Sequence, residues 1–189
     1  MLTSRSSQFM VDWVSAQKSD IGIGLLAQDR PGLEFRRLMQ VEGVCVLPAD
    51  HSLKDKGIIT PRDLEGEPFI ALSTEDRTRF LVDQFFRGRD RQRIIVAETQ
   101  MSEAACQLVA SGAGVSIVEP FSTRGFSAQE IVVKPISPAV YFDLWLMYPT
   151  YRPISGITAS FAYFLEAELH RYLVQNHFGF VPFPLSLGD

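Results

Sequence analysis

The chain has 189 residues, 46% of them hydrophobic and 21% charged, with 18 Lys+Arg against 22 Asp+Glu for a formal charge of −4. That length suits one medium domain or two small lobes, and the composition excludes a disordered, collagenous or disulfide-rich secreted chain. The acidic balance also excludes, for these residues by themselves, an ordinary DNA-binding domain, which carries a basic stripe and a high pI.

The predicted elements alternate along the chain. Phe9, Met10, Trp13 and Val14 recur at helical spacing behind Ser6 and Ser7, whose hydroxyls suit an N-cap. Ile21 to Leu25 reads as a short buried strand. Leu33 to Met39 and Val41 to Leu47 read as extended, the second being a continuous apolar run of the kind buried on both faces of a sheet, and Pro48-Ala49-Asp50-His51 breaks it. Thr60 to Leu64 is predicted as one helical turn with Pro61 at its first position. Pro68 to Leu72 is a strand, and Ser73 to Asp76 opens a helix with Phe80, Leu81, Phe85 and Phe86 on its apolar face, ending near Gly88 and Asp90. Arg93 to Ala97 is a strand; Ser102 to Ala110 is a helix that turns Met101, Ala105, Leu108 and Val109 inward, with Gly112 as a left-handed stop. Strands follow at Val115 to Val118, Ile131 to Val133 and Tyr141 to Met147, and a last helix from Ser155 to Leu173 is expected to bury Ile157, Phe161, Phe164, Leu165 and Tyr172.

Strands separated by helices of this length predict an α/β protein with largely parallel sheets covered on both faces. Such sheets bind ligands beyond the carboxyl ends of their strands, which singles out Ser4 to Ser7, Ser73 to Asp76, Thr99 to Ser102 and Glu119 to Thr123. A helix N-terminus offers unpaired N–H groups and a positive dipole end, so Ser7, Ser73, Thr74 and Ser102 together suit a carboxylate. N-capping accounts for any one of them alone; their convergence on one edge favours a ligand.

Other chemistry is poorly represented. The three histidines have no Gly-x-Ser-x-Gly partner, and His51 sits in a turn-like segment, so no catalytic residue is assigned. Neither Cys-x-x-Cys nor His-Glu-x-x-His spacing occurs, and no metal or cofactor is expected. Gly22/Gly24 and Gly112/Gly114 lack the strand-to-helix setting of a phosphate cradle and read as turn and close-packing devices. Cys45 and Cys106 lie in apolar runs and read as two buried free thiols. No apolar stretch reaches the ~18 residues of a membrane span, and Met1 to Ser7 lacks a signal core, which predicts a soluble cytoplasmic chain without a membrane partner.

Three stretches resemble the effector-binding (substrate-binding) domain of LysR-type transcriptional regulators. They are Val41-Glu-Gly-Val-Cys-Val-Leu-Pro-Ala-Asp-His51, Ile59-Thr-Pro-Arg-Asp-Leu-Glu-Gly-Glu-Pro-Phe-Ile70, and Glu98 through Ala113-Gly114-Val115 to Pro120. Their order and spacing hold from about Ser6 to Leu173. Trp13-Val14-Ser15-Ala16-Gln17, Asp76 with Arg79, and Glu98-Thr99 look most like the amino-acid/opine-sensing branch, whose members include the diaminopimelate-sensing regulator of lysine biosynthesis and opine-responsive regulators.

The resemblance implies two Rossmann-like lobes of periplasmic-binding-protein type II joined by two crossover strands. Lobe I would take 1–47 and 143–175, lobe II 48–142, and 176–189 would be a tail without a family counterpart. The match begins at the second helix of lobe I, so that lobe is expected to be N-terminally incomplete, with the apolar tail either covering the gap or lying loose. A small amino-acid-like effector would sit in the interlobe cleft at Ser7, Ser73, Thr74, Thr99, Gln100, Ser102, Glu119 and Phe121, with Arg79 for a carboxylate and Glu119 for an amine. Further implications are self-association as a dimer and DNA contact only through a winged helix-turn-helix absent from these residues. The alternative on the same hinge fold is a solute-binding module of a transport system.

Overall fold

Gly43 interrupts the long apolar run. Its backbone N–H donates to the Val140 carbonyl at 2.7 Å, and a Cβ there would come within 2.7 Å of the Phe142 ring, so only glycine permits this approach. Strand β2 (Leu33–Glu42) therefore ends just before it and β3 (Val44–Pro48) begins just after. In the computed structural model, which describes residues 3, 7–25, 27, 30–74, 77–87 and 93–187, the chain divides into two compact units. Unit 1 comprises Met1–Val41 with Asp143–Asp189, and unit 2 Glu42–Phe142.

In unit 1, α1 (Ser7–Ser15) precedes β1 (Gly22–Gly24), and β8 (Tyr141–Pro149), α4 (Gly156–Gln175) and β9 (Phe180–Pro182) return late in the chain. The sheet order is β1-β8-β2-β9, with β1 antiparallel to β8 and β9 antiparallel to β2. Val11 and Val14 of α1 close on Met147, and Met10, Leu33 and Phe35 pack around them. Gly22 has a packing role, since a Cβ there would press on Met147 and Val14 at 2.9 and 3.1 Å.

Unit 2 is built on β3, whose five residues are all buried; the predicted strand Val41 to Leu47 is thereby corrected, since Val41 and Glu42 close β2 and only the part after Gly43 forms β3. β3 pairs antiparallel with β6 (Ser116–Val118) on one side and β7 (Ile131–Pro135) on the other. β4 (Pro68–Leu72) pairs parallel with β5 (Ile94–Thr99) and joins β6 through Ile70 N–H to Val115 O and Val115 N–H to Pro68 O, both 2.8 Å. The expectation of largely parallel sheets is thus corrected: β4, β5 and β6 share a direction, but β3 runs against both neighbours. A continuous apolar run reports burial on both faces, not strand direction. α2 (Arg77–Phe85) follows β4, and α3 (Ser102–Ala110) follows β5. Gly112, at φ +81°, ends α3 through Gly112 N–H to Val109 O and Ala113 N–H to Leu108 O.

Three predicted faces are corrected. Phe9 and Phe80 lie exposed; Val11 and Val14 face the core in α1, and Val82 and Phe85 in α2, with Phe86 buried in the turn just after it. In α4 the buried positions are Ala162 and Leu173, with Leu165 and Tyr172 half-buried, whereas Ile157 is 86% and Phe164 62% exposed and Phe161 is exposed too. α4 carries apolar residues on more than one face, so periodicity alone does not select the inward one. The tail is not loose: β9 extends the sheet beyond β2, at the opposite end from β1, Phe183 N–H donates to Leu38 O at 2.8 Å, and the Arg37 guanidinium lies 4.1 Å over the Phe183 ring. Ser4 to Ser6, Asp76, Gly88 and Asp90 lie outside the described residues.

Candidate functional site

Because β4, β5 and β6 share a direction, the segments leaving their carboxyl ends collect on one edge of unit 2. Leu72 is in register with Thr99, and Ser73 N–H donates to Thr99 O at 2.8 Å, tying the first two segments together. Arg79 of α2, 8% exposed, reinforces the tie. Its Nη1 donates to Leu72 O at 2.8 Å and to Glu98 Oε1 at 2.9 Å, while Nε donates to Asp83 Oδ1 at 2.9 Å. Burial works against its charge, but the Glu98 and Asp83 carboxylates outweigh that and hold the guanidinium's pKa above its ordinary value. Asp83 also receives Arg93 Nη2 at 2.6 Å, and the Arg93 guanidinium lies 4.8 Å over the Phe86 ring and 5.3 Å over Phe69.

Beyond β5, the Thr99 hydroxyl accepts from Met101 N–H at 3.3 Å, closing a tight turn that leaves Gln100 exposed and sets Ser102 as the first residue of α3. Ser73 is half-buried and Thr74 exposed. Beyond β6 comes Glu119, then a 3₁₀ turn, Pro120–Thr123, that carries the half-buried Phe121. Glu119 is 6% exposed. The Ser122 hydroxyl donates to its Oε1, and the Ser102 hydroxyl also donates to this carboxylate. Its Oε2 is buried and has no hydrogen-bond partner. Burial pushes the Glu119 carboxyl up, and hydrogen bonds from the Ser122 and Ser102 hydroxyls and from the Glu119 and Ser122 backbone N–H groups offset only part of that rise.

The edge therefore gathers Ser73, Thr74, Arg79, Thr99, Gln100, Ser102, Glu119 and Phe121. Ser7 is the first residue of α1 in the other unit, and its side chain lies outside the described residues. Arg79, expected as a carboxylate anchor, has Nε engaged by Asp83 and Nη1 by Leu72 and Glu98. The sequence reading passed over Asp83, Arg93 and Ser122. The i, i+4 spacing of Arg79 and Asp83 was a usable signal for the first; nothing local marked Arg93.

His51 is committed elsewhere, Nδ1 accepting from Leu53 N–H at 3.2 Å and Nε2 lying 3.3 Å from Glu67 Oε2. Cys45 and Cys106 are free and buried; burial pushes both thiols up, Cys106 to about 12, so neither is a ready nucleophile. Among the described residues no group of His, Cys, Asp and Glu is placed to hold a metal, and no helix is long and apolar enough to cross a membrane. A cavity of about 350 Å³ in unit 1 is lined by Leu38, Met39, Tyr163, Glu166 and His170 with Pro182 and Pro184. Its polar groups serve the tail: Leu185 N–H donates to Glu166 at 2.9 Å and Leu187 N–H to the Tyr163 hydroxyl at 3.2 Å.

Residues 1–170 match the model of the LysR substrate binding domain. The chain belongs to this LysR family. It is 34% identical over 168 residues to the transcriptional activator protein LysR of Escherichia coli strain K12, covering 89% of this chain and 54% of that protein. It is 33% identical over 155 residues to the regulatory protein NocR of Agrobacterium tumefaciens strain T37, covering 82% and 52%. The chain thus spans about half the length of the curated relatives it matches. The regulatory domain of CcmR from Synechocystis PCC6803, solved in complex with 2-PG, shares the fold with a TM-score of 0.70 at 21% identity, covering 86% of this chain and 79% of that one. These relatives are regulators, which favours a LysR-type effector-binding domain over a transport module. Within the LysR domain fold, the strand-end segments of unit 2 carry the polar side chains described above.

Proposed function

We propose that this LysR-family domain senses a small amino-acid-like effector through the strand-end edge of unit 2. The observation that carries this reading is the gathering of Ser73, Thr74, Thr99, Gln100, Ser102 and Glu119 where three strands of one direction end. Backbone and hydroxyl groups there suit an effector's carboxylate, Glu119 suits its amine, and Phe121 offers an apolar wall. Arg79 acts in this reading by holding the β4 and β5 ends together. Effector binding biases the regulator between two conformational states, which requires only that it bind one better than the other. The domain is not catalytic, a reading supported by the committed His51 and the two buried thiols.

In the same reading DNA is contacted by a winged helix-turn-helix part of the regulator outside these residues, in keeping with the charge of −4, and the protein works in the cytoplasm. Self-association as a dimer is supported by β5, an edge strand that leaves Ile94, Ile95 and Val96 exposed. Ile95→Lys is expected to convert the dimer to monomer in analytical ultracentrifugation; an unchanged dimer rejects this surface. The test of the effector reading is a thermal-shift screen with L-lysine, L-arginine, meso-diaminopimelate and opines. A rise in Tm with at least one of them, lost in Thr99→Val, is expected. Stabilisation only by ligands without an amino-acid group overturns it.

A further inference from the structure

The cavity of about 350 Å³ lies wholly within unit 1, and its size falls within the roughly 300–1,000 Å³ of small-molecule sites. Three elements wall it. β2 supplies Leu38 and Met39, the tail supplies Pro182 and Pro184, and α4 supplies one face at helical spacing, Tyr163, Glu166, Ala167 and His170. The Met39 thioether and the flat proline and tyrosine rings suit an aromatic body. Glu166 is the one carboxylate among the described residues that line the cavity, and none of these is lysine or arginine. Its Oε1 accepts from Leu185 N–H at 2.9 Å, which leaves Oε2 for a further donor. The tail closes this space with lining residues as its anchors: Leu187 N–H donates to the Tyr163 hydroxyl at 3.2 Å, and the Phe180 ring meets His170 edge-on at 5.0 Å.

We propose that this cavity is a second ligand site, separate from the strand-end edge of unit 2, and that it takes a small arylalkylamine. The aromatic body lies among Met39, Ala167 and the two prolines, and the ammonium donates to Glu166 Oε2. Burial of the ring and a charge-assisted hydrogen bond at the half-buried carboxylate both favour this class. A carboxylate on the same body meets no cationic side chain and faces Glu166, so acids and amino acids are selected against here. That selection is the reverse of the one at the unit 2 edge, where hydroxyl and backbone groups suit a carboxylate. Pro182 and Pro184 form one wall, and their neighbours Leu185 and Leu187 are tied to Glu166 and Tyr163, so an occupied cavity holds the tail against α4.

The probe is phenethylamine, with phenylacetate and L-phenylalanine as carboxylate-bearing controls on the same ring. Calorimetric titration of the full chain is expected to show phenethylamine binding about tenfold or more tightly than either control. Amide shift mapping should place the changes on Leu38, Met39, Ala167 and Phe183 to Leu187, with slower hydrogen exchange at Leu185 and Leu187. Glu166→Gln keeps an amide oxygen for Leu185 N–H and removes the charge, and should weaken phenethylamine by about tenfold or more. Ala167→Leu adds bulk to the wall with a good helix former, and should abolish phenethylamine binding without lowering Tm. If Glu166→Gln fails to fold, Ala167→Leu decides. Absence of phenethylamine binding, equal binding of phenylacetate, or affinity unchanged by these substitutions overturns the proposal. Shifts confined to Ser73, Thr99 and Glu119 overturn it too, because they place the amine at the unit 2 edge.

Discussion

Two buried charges stand on the same edge of unit 2 and differ in how they are satisfied. At the β4 and β5 ends, Arg79 donates to a backbone carbonyl and two carboxylates, and Asp83 takes a second arginine, so the charges close on one another. At the β6 end, Glu119 takes two serine hydroxyls and two backbone N–H groups, without a cationic partner among the described residues, and keeps one buried oxygen, Oε2, unpartnered. A closed network spends its hydrogen-bonding capacity on holding two loops at a fixed separation; an open one retains capacity for a ligand. The difference separates positioning from recognition among residues that look equally suited to a site by type alone.

Substitutions that dismantle the closed network should have the largest effects. Phe69 is 2% exposed, packs edge-on to Phe86 at 5.3 Å and forms part of the seat of Arg93, so Phe69→Ala should cost roughly 3–5 kcal/mol in urea unfolding. A loss below about 1 kcal/mol would show that Arg93 and the aromatic pair do not stabilise this end. Arg79→Met should cost less, about 2–3 kcal/mol, because Asp83 and Glu98 are partly solvent-exposed and recover hydration when their partner is removed. If Arg79→Met instead leaves stability intact but abolishes effector binding, Arg79 is a ligand contact and the contrast with Glu119 collapses.

The pH dependence gives smaller effects of opposite sign. Burial raises the Glu119 carboxyl above its unfolded value of about 4.3, so the folded state holds the proton more tightly. Wild type should therefore lose stability relative to Glu119→Gln as pH rises from about 4.3 through the raised folded value, followed by urea unfolding between about pH 4 and 8. A difference that does not change with pH would remove the uncompensated carboxylate. At Asp63 burial pushes the pKa up, but hydrogen bonds from Lys56 and Thr60 outweigh it and the folded value lies below the ordinary one. Its contribution is present above the unfolded value of about 3.9 and is lost as pH falls through the lower folded value, with Asp63→Asn as the reference. Lys56→Ala, at an exposed partner of Asp63, should be the mildest change, under about 1 kcal/mol.

The sequence reading recovered element positions where local chemistry marks both ends. β4 lies between Pro68 and the hydroxyl-rich Ser73-Thr74, and α3 runs from Ser102 to a left-handed glycine at Gly112, so both were legible. The inward face of α4 was not, because Ile157, Phe161, Ala162, Phe164, Leu165 and Leu173 place apolar groups on several sides and tertiary packing makes the choice. The hydroxyl-rich candidate segments were readable because helix starts after strands carry that chemistry. What was not readable is which charge is closed and which is open: Arg79 meets Glu98 across 19 residues, and Glu119 meets Ser102 at the start of the helix that precedes β6. Those partners depend on the parallel register of β4 with β5 and on the β4–β6 bridge, neither of which a local pattern encodes.

Amide chemical-shift mapping tests the central claim most directly, using whichever of meso-diaminopimelate, L-lysine or L-arginine stabilises the domain most. The account predicts that the largest shifts fall on Ser73, Thr74, Thr99 to Ser102 and Glu119 to Phe121, and that Glu119→Gln diminishes them. Shifts confined to Leu38, Met39, Tyr163 and His170, around the cavity beneath the tail of unit 1, would place the effector elsewhere and contradict it.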